Sequence, residues 1–250
     1  MSLKRVAAVV RKEVREFRRN RFVIGTMAVL PLFFLITPML TIFKIPASAS
    51  GPQVKAAVGV ISLLMLIIPI VIPPVIAAYS VVGERDQGTL EPVLTTPVRA
   101  SELLLGKAAA AFLPSVGIAY AIYLVVLISV RAGAAHVVSS VIFHPPELLA
   151  QVLFTPLLAL WSIWVGIGIS TRASDVRVAQ QLATVASLPL LGFTSLLSFQ
   201  LIKPSVPIAI GLALALLVAD IAAWRIVSRL FDRERLVTGR ALRDVARSRG

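Results

Sequence analysis

Residues 58–82 read VGVISLLMLIIPIVIPPVIAAYSVV, 25 residues without a charged side chain. A helix crosses the hydrocarbon layer of a bilayer with about 20 apolar residues. Five further runs near that length flank this one, at 22–43, 108–130, 148–170, 182–201 and 208–224. The whole chain of 250 residues is 58% hydrophobic and only 15% charged, with a mean hydropathy of +0.90. A soluble domain has about 45–50% apolar and about 25% charged residues, so a soluble globular enzyme is excluded. Disorder is excluded because disordered chains lack this much apolar surface. Sixteen prolines, many inside the apolar runs, argue against a coiled coil. With no cysteine, there is no disulfide framework and no thiolate nucleophile or ligand. The reading is an all-α integral membrane protein with six transmembrane helices.

The net charge of +13 decides orientation rather than partner class. Dividing the basic residues by loop places 21 of the 25 on one side: the segment before the first run, the second-to-third and fourth-to-fifth loops, and the tail. Lys44, Lys55, Arg131 and Lys203 fall on the other side. Cytoplasmic loops carry the Lys/Arg excess, so both termini are expected in the cytoplasm. The basic segments are expected to meet anionic lipid headgroups, and no nucleic-acid partner is expected. No secretory signal peptide is expected, because Val6–Val10 is too short an apolar stretch before charge resumes at Arg11.

The chain divides into an amphipathic helix at 1–21, a six-span domain at 22–226 and a basic tail at 227–250. In the first segment, Leu3, Val6, Ala7, Val10, Val14 and Phe17 follow one helix face while basic residues fill the other. Such a helix lies in the membrane interface. The last span is expected to continue as helix beyond the membrane and then fray.

Within the spans, Pro31, Pro38, Pro69, Pro73 and Pro74 remove backbone donors whose freed carbonyls need partners from neighbouring helices or water. The proline-rich second span is therefore expected inside the bundle. Small residues recur at every fourth position in Ser162, Gly166 and Ser170, and again in Gly211, Ala215 and Ala219. Such stripes let helices approach closely, within one subunit or across a dimer. Asp220 is the one acid well inside a span and a possible intramembrane polar site. Four residues before Trp224, it is expected near the cytoplasmic interface, hydrated or hydrogen-bonded. The fifth run is weakest around Pro189 and Gly192, which leaves open whether that span is continuous or broken. His136, His144 and Glu147 are too sparse for a metal site, and none is assigned.

The loop after the second span reads GERDQGTLEPVLTTPVR, residues 83–99. Thr89 suits an N-cap, Glu91 the first helical turn, and Leu90, Val93 and Leu94 share a face. Pro97 ends the helix, and Ser101 is placed to cap the next, with Glu102 in its first turn. A short helix with an apolar ridge, held between two spans, suits a groove on a soluble partner.

Here Glu84, Arg85, Gly88, Thr89, Leu90, Glu91, Leu94, Pro97, Val98 and Arg99, followed by Gly106 and Lys107, resemble the type 2 family of ABC exporter permeases. The segment from Arg11-Lys12-Glu13 to Arg21 is similar to that family's connecting helix. The resemblance implies a multi-pass plasma-membrane permease whose short cytoplasmic coupling helix docks on a separate ABC ATPase subunit. Glu84, Arg85, Gly88, Thr89, Leu90, Glu91, Val93, Leu94, Pro97 and Arg99 would form that coupling site. It also implies two ATPase copies and a second permease copy, identical or related. This chain would then be no enzyme and hold no cofactor, ATP and Mg belonging to the partner. Accordingly, Gly106-Lys107 lacks the remainder of a phosphate-binding loop. The alternative is a non-transporting scaffold that docks a cytoplasmic partner through the 84–99 loop.

Overall fold

The computed structural model describes residues 2–84, 99–173, 175–199, 201–203 and 205–247, without the side chains of Phe22 and of residues 231–247. Its elements are α1 (Leu3–Arg19), α2 (Arg21–Lys44), α3 (Gly51–Ala78) running into a π-helical turn (Tyr79–Gly83), α4 (Ala100–Gly133), α5 (His136–Ile142), α6 (Pro145–Ser170), α7 (Val176–Ser198) and α8 (Val206–Arg247). No strand occurs among the described residues. Six helical segments are long and apolar enough to cross a membrane: Val23–Lys44, Gly51–Gly83, Ala100–Gly133, Pro145–Ser170, Val176–Ser198 and Val206–Leu230. The number agrees with the six apolar runs. The helices reach beyond the runs at most ends, because a helix continues through interfacial polar residues that a hydropathy window rejects. α7, for instance, begins at Val176, where the Asp175 carboxylate accepts the Arg177 and Val178 N–H groups at 2.6 and 3.3 Å.

α3 is the axis of the bundle. Of its most apolar window 67% is buried, against 17% for α2, and its neighbours are α6, α7, α2 and α4. Pro69, Pro73 and Pro74 are all buried within it. With lipid no less apolar than a leucine side chain, close packing rather than water exclusion holds such helices together. Gly166 of α6 shows how close: a Cβ there would lie 3.2 Å from Ala77 Cβ and 3.4 Å from Pro74 Cα of α3. Ser162 and Ser170 flank it, both fully buried, so this small-residue stripe packs within the chain. The other stripe does not. Gly211 and Ala215 are exposed, Ala219 is half-buried, and α8 instead buries Ala209, Ala213, Leu216, Asp220, Ala223 and Val227.

Proline inside α6 illustrates how lipid forces compensation. Pro156 has no N–H to offer the Val152 carbonyl one turn back. The Tyr120 hydroxyl of α4 donates to that carbonyl at 2.7 Å, which ties the two helices together. α7 passes through Pro189 and Gly192 without interruption.

Short connections make successive spans antiparallel. One end of the bundle, called here the basic end, carries α1, the starts of α2, α4 and α7, and the ends of α3 and α6. Lys44, Lys55, Arg131 and Lys203 lie at the other end. α1 rests across the start of α4. Val6, Val9, Glu13 and Phe17 turn toward the bundle, while Leu3 (77% exposed), Ala7 and Val14 face away. The apolar stripe of α1 is therefore shared, one edge meeting the bundle and the other facing away from it.

Candidate functional site at the basic end

Among the described residues, one of the largest fully buried side chains is a lysine, Lys107 in the second turn of α4. A lone buried ammonium is costly, and this one is fully partnered. Nζ lies 2.7 Å from Glu13 Oε1 of α1, 2.7 Å from the Ser80 carbonyl and 2.7 Å from Glu84 Oε2. Of its three N–H donors, two hydrogen-bond to Glu13 and the Ser80 carbonyl, and Glu84 completes the set as an ion pair. Ser80 lies inside the π-helical turn, and Glu84 follows directly after it. Such turns are rare and concentrate at functional sites. Here the turn presents a main-chain carbonyl and a carboxylate to the same ammonium.

Lys12 closes the cluster from its rim. Its Nζ pairs with Glu84 Oε1 and lies 3.2 Å from Glu16 and 3.5 Å from Glu13. Carboxylate oxygens of Glu13, Glu16 and Glu84 come within 4.8 Å of one another, and the two lysines supply the positive charge between them. The two buried acids differ. Burial lifts the Glu13 carboxyl above its usual range; Glu84 adds to the rise, and Lys107 only partly opposes it. Burial acts in the same sense on Glu84, but the Lys107 charge and the hydrogen bonds from Lys107 and Lys12 outweigh it and hold that carboxyl below its usual range. Burial likewise opposes charge on Lys12, yet its bond to Glu84 and the fields of Glu13, Glu84 and Glu16 raise its pKa.

Two more contacts fasten α1 to α4. Glu102 Oε1 accepts the Ser2 N–H at 2.6 Å, and Oε2 accepts from Arg5 Nη1 at 3.4 Å. Glu102 also accepts the Arg99 N–H at 3.2 Å, which makes Arg99, rather than Ser101, the cap of α4. The acid at the third helical position reaches back to the cap residue, as in half of a capping box. Between these anchors sits Gly106. A Cβ there would lie 2.5 Å from Val9 Cγ1 and 2.6 Å from Val9 Cβ, so only glycine admits α1 this closely.

Of the residues assigned to coupling, Glu84 and Arg99 are described; Arg85, Gly88, Thr89, Leu90, Glu91, Val93, Leu94 and Pro97 lie outside the described residues. Glu84 and Lys107 meet although 85–98 separates the helices that carry them. The sequence reading missed Lys12, Glu13 and Ser80 as site residues. Glu13 carried a signal: it occupies the helix face of Val6, Val9 and Phe17, where an acid has no place unless paired. Asp220, the possible intramembrane polar site of the sequence, is 4% exposed, and neither of its oxygens has a hydrogen-bond partner among the described residues. The Trp224 ring one turn on packs on Trp164 with centroids 4.9 Å apart.

Fold and composition thus define a multi-pass helical membrane protein with a buried ion cluster between α1, the end of the second span and the start of the third. The chain belongs to the ABC-2 family of transporter proteins, whose family model, described as "ABC-2 family transporter protein", matches residues 7–214. The match spans α1 and the ion cluster, and runs into the sixth span. The chain is therefore a membrane component of the ABC transporter type. No curated protein matches it.

Proposed function

We propose that the chain is the permease subunit of an ATP-driven exporter, in which a separate ABC ATPase drives alternating access through the loop between α3 and α4. The observation that carries this reading is the bridge from Glu84 through Lys107 to Glu13. It joins both flanks of the 85–98 loop to α1, so a force on the loop reaches α1, α3 and α4 as one body. The loop's own Leu90, Val93 and Leu94 ridge would seat on the ATPase, with Glu91 in the first turn. The basic end is cytoplasmic in this reading, which puts both termini inside and the Lys/Arg excess against the inner leaflet. The outward apolar residues of α1, Leu3, Ala7 and Val14, would enter the headgroup boundary of the plasma membrane, as an interfacial helix requires. Two permease copies, identical or related, and two ATPases complete the assembly. ATP and Mg reside on the ATPase.

The test is to change Leu94 or Glu91 to Ala in the full chain and measure ATP hydrolysis and transport in the reconstituted complex. Loss of coupling with normal membrane insertion is expected. Wild-type coupling in both variants would remove the docking assignment. Native mass spectrometry of the gently extracted complex is expected to weigh two copies of this chain with two ATPase-sized subunits. Repeated absence of any nucleotide-binding subunit would favour the non-transporting scaffold.

A further inference from the structure

Asp220 is buried in the membrane-spanning part of α8, and neither carboxyl oxygen has a hydrogen-bond partner. Its surroundings follow from register. α8 packs chiefly on α6. Trp224 stacks edgewise on Trp164, and a Cβ at Gly168 would lie 3.2 Å from Val227 Cγ2. Continuing that register one turn brings Asp220 level with Trp161, whose indole Nε1 is also buried without a partner. A third such group, the Ser115 hydroxyl, lies on α4, which packs against both helices. On either side of Asp220 the two helices meet through apolar side chains, Leu158 with Leu216 in one cluster and Trp164 and Ile167 with Ala223 and Val227 in another.

Among the described residues, no basic side chain is placed to neutralise this acid. The one acidic or basic residue of α6 is Glu147, in its first turn at the far end. On α4, Lys107 and Glu102 are engaged at the basic end, Tyr120 donates to Val152, Tyr123 lies within the field of Glu147, and Arg131 is in the last turn at the opposite end. On α8 itself Arg225 and Arg229 are exposed, further toward the basic end. An ionised carboxylate here would draw in the Trp161 N–H, which donates to nothing.

We propose that Asp220 is a proton-binding site within the membrane: its carboxyl holds a proton while α6 and α8 are packed as here, and releases it when that seam opens to water. A neutral acid removes the charge that the surroundings leave uncompensated. The proton needs no cavity. The release step rests on the exporter reading; the resting protonation does not.

Infrared difference spectra of the full chain in lipid nanodiscs at neutral pH test the resting state. Wild type minus Asp220→Asn is expected to show a protonated-carboxyl C=O band. The band should shift, rather than vanish, in Asp220→Glu. A carboxylate band in its place would overturn the proposal, and Asp220→Glu decides the matter should Asp220→Asn fail to fold. Trapping the ATPase complex with ATP and vanadate is expected to abolish the acid band. If the complex changes conformation and the band persists, the release step is wrong. If ATP produces no conformational change in any chain, the exporter reading fails while the resting band still stands.

Discussion

Lys107 and Asp220 are both charged residue types buried in the same bundle, and their surroundings are opposites. Lys107 meets two carboxylates and a carbonyl drawn from three separate segments, whereas Asp220 meets none. The first arrangement locks parts together, because removing any partner strands a charge. The second stores a group that changes state when its surroundings change. Position explains the difference. The lysine lies where α1 can lay an acid over it at the basic end. The aspartate lies on the seam of two apolar helices that have no ion to give.

The sharpest way to break the contrast is Lys107→Met. It leaves Glu13 and Glu84 with only Lys12 at the rim to balance them and should destabilise the chain by about 3–5 kcal/mol, as loss of one partner of a buried pair does. Thermal unfolding in lipid nanodiscs would show this, and adding Glu13→Gln and Glu84→Gln to the same chain should recover most of the loss. Next in size, Gly106→Ala should cost about 1–3 kcal/mol through overpacking and increase proteolysis at α1. Val9→Ala in the same chain would not fully relieve it, since Val9 Cβ itself stands 2.6 Å from the new methyl.

The two buried acids separate by pH. The Glu84 carboxyl is lowered on folding, so its contribution is full above the ordinary carboxylate range and is lost as pH falls through its folded value. The Glu13 carboxyl is raised, so its contribution is full below that range and is lost as pH rises through its folded value. Glu84→Gln should therefore cost about 1–3 kcal/mol near neutrality and less in acid. Glu13→Gln should gain on wild type as pH rises. Equal pH profiles for the two variants would mean that the cluster shares its charge evenly. Smallest of all, Asp220→Leu should leave melting unchanged or raise it by about 2–4 °C, since replacing an unsatisfied polar group by an apolar one is nearly neutral or stabilising. A large loss would show that Asp220 has a partner and is held as tightly as Lys107.

How much was legible divides along the same line. Hydropathy depends on neighbouring residues, so the six spans and the burial of the proline-rich second span were readable directly. The ion cluster joins residues 13, 80, 84 and 107, which no local window contains. The acid on the inner face of α1 was its one advance sign. The small-residue stripes show the limit of periodicity. Ser162, Gly166 and Ser170 serve contacts within the chain, whereas Gly211, Ala215 and Ala219 have the same spacing and face outward. Spacing identifies a surface fit for close approach and says nothing of what approaches. The Arg99 cap was missed because a serine two residues on matched the usual cap chemistry.

Glu13 and Lys107 are 94 positions apart along the chain. At a synthesis rate of about 5–20 residues per second, the ribosome adds the lysine roughly 5–20 s after the glutamate. The first helix made therefore waits for the third span before it is fastened. Until that span is delivered, Glu13 has no Lys107 to pair with, and a chain arrested before that point shows an acid on an apolar face without its lysine. The same contact that stiffens the finished protein therefore also divides chains arrested before Lys107 from those that have passed it.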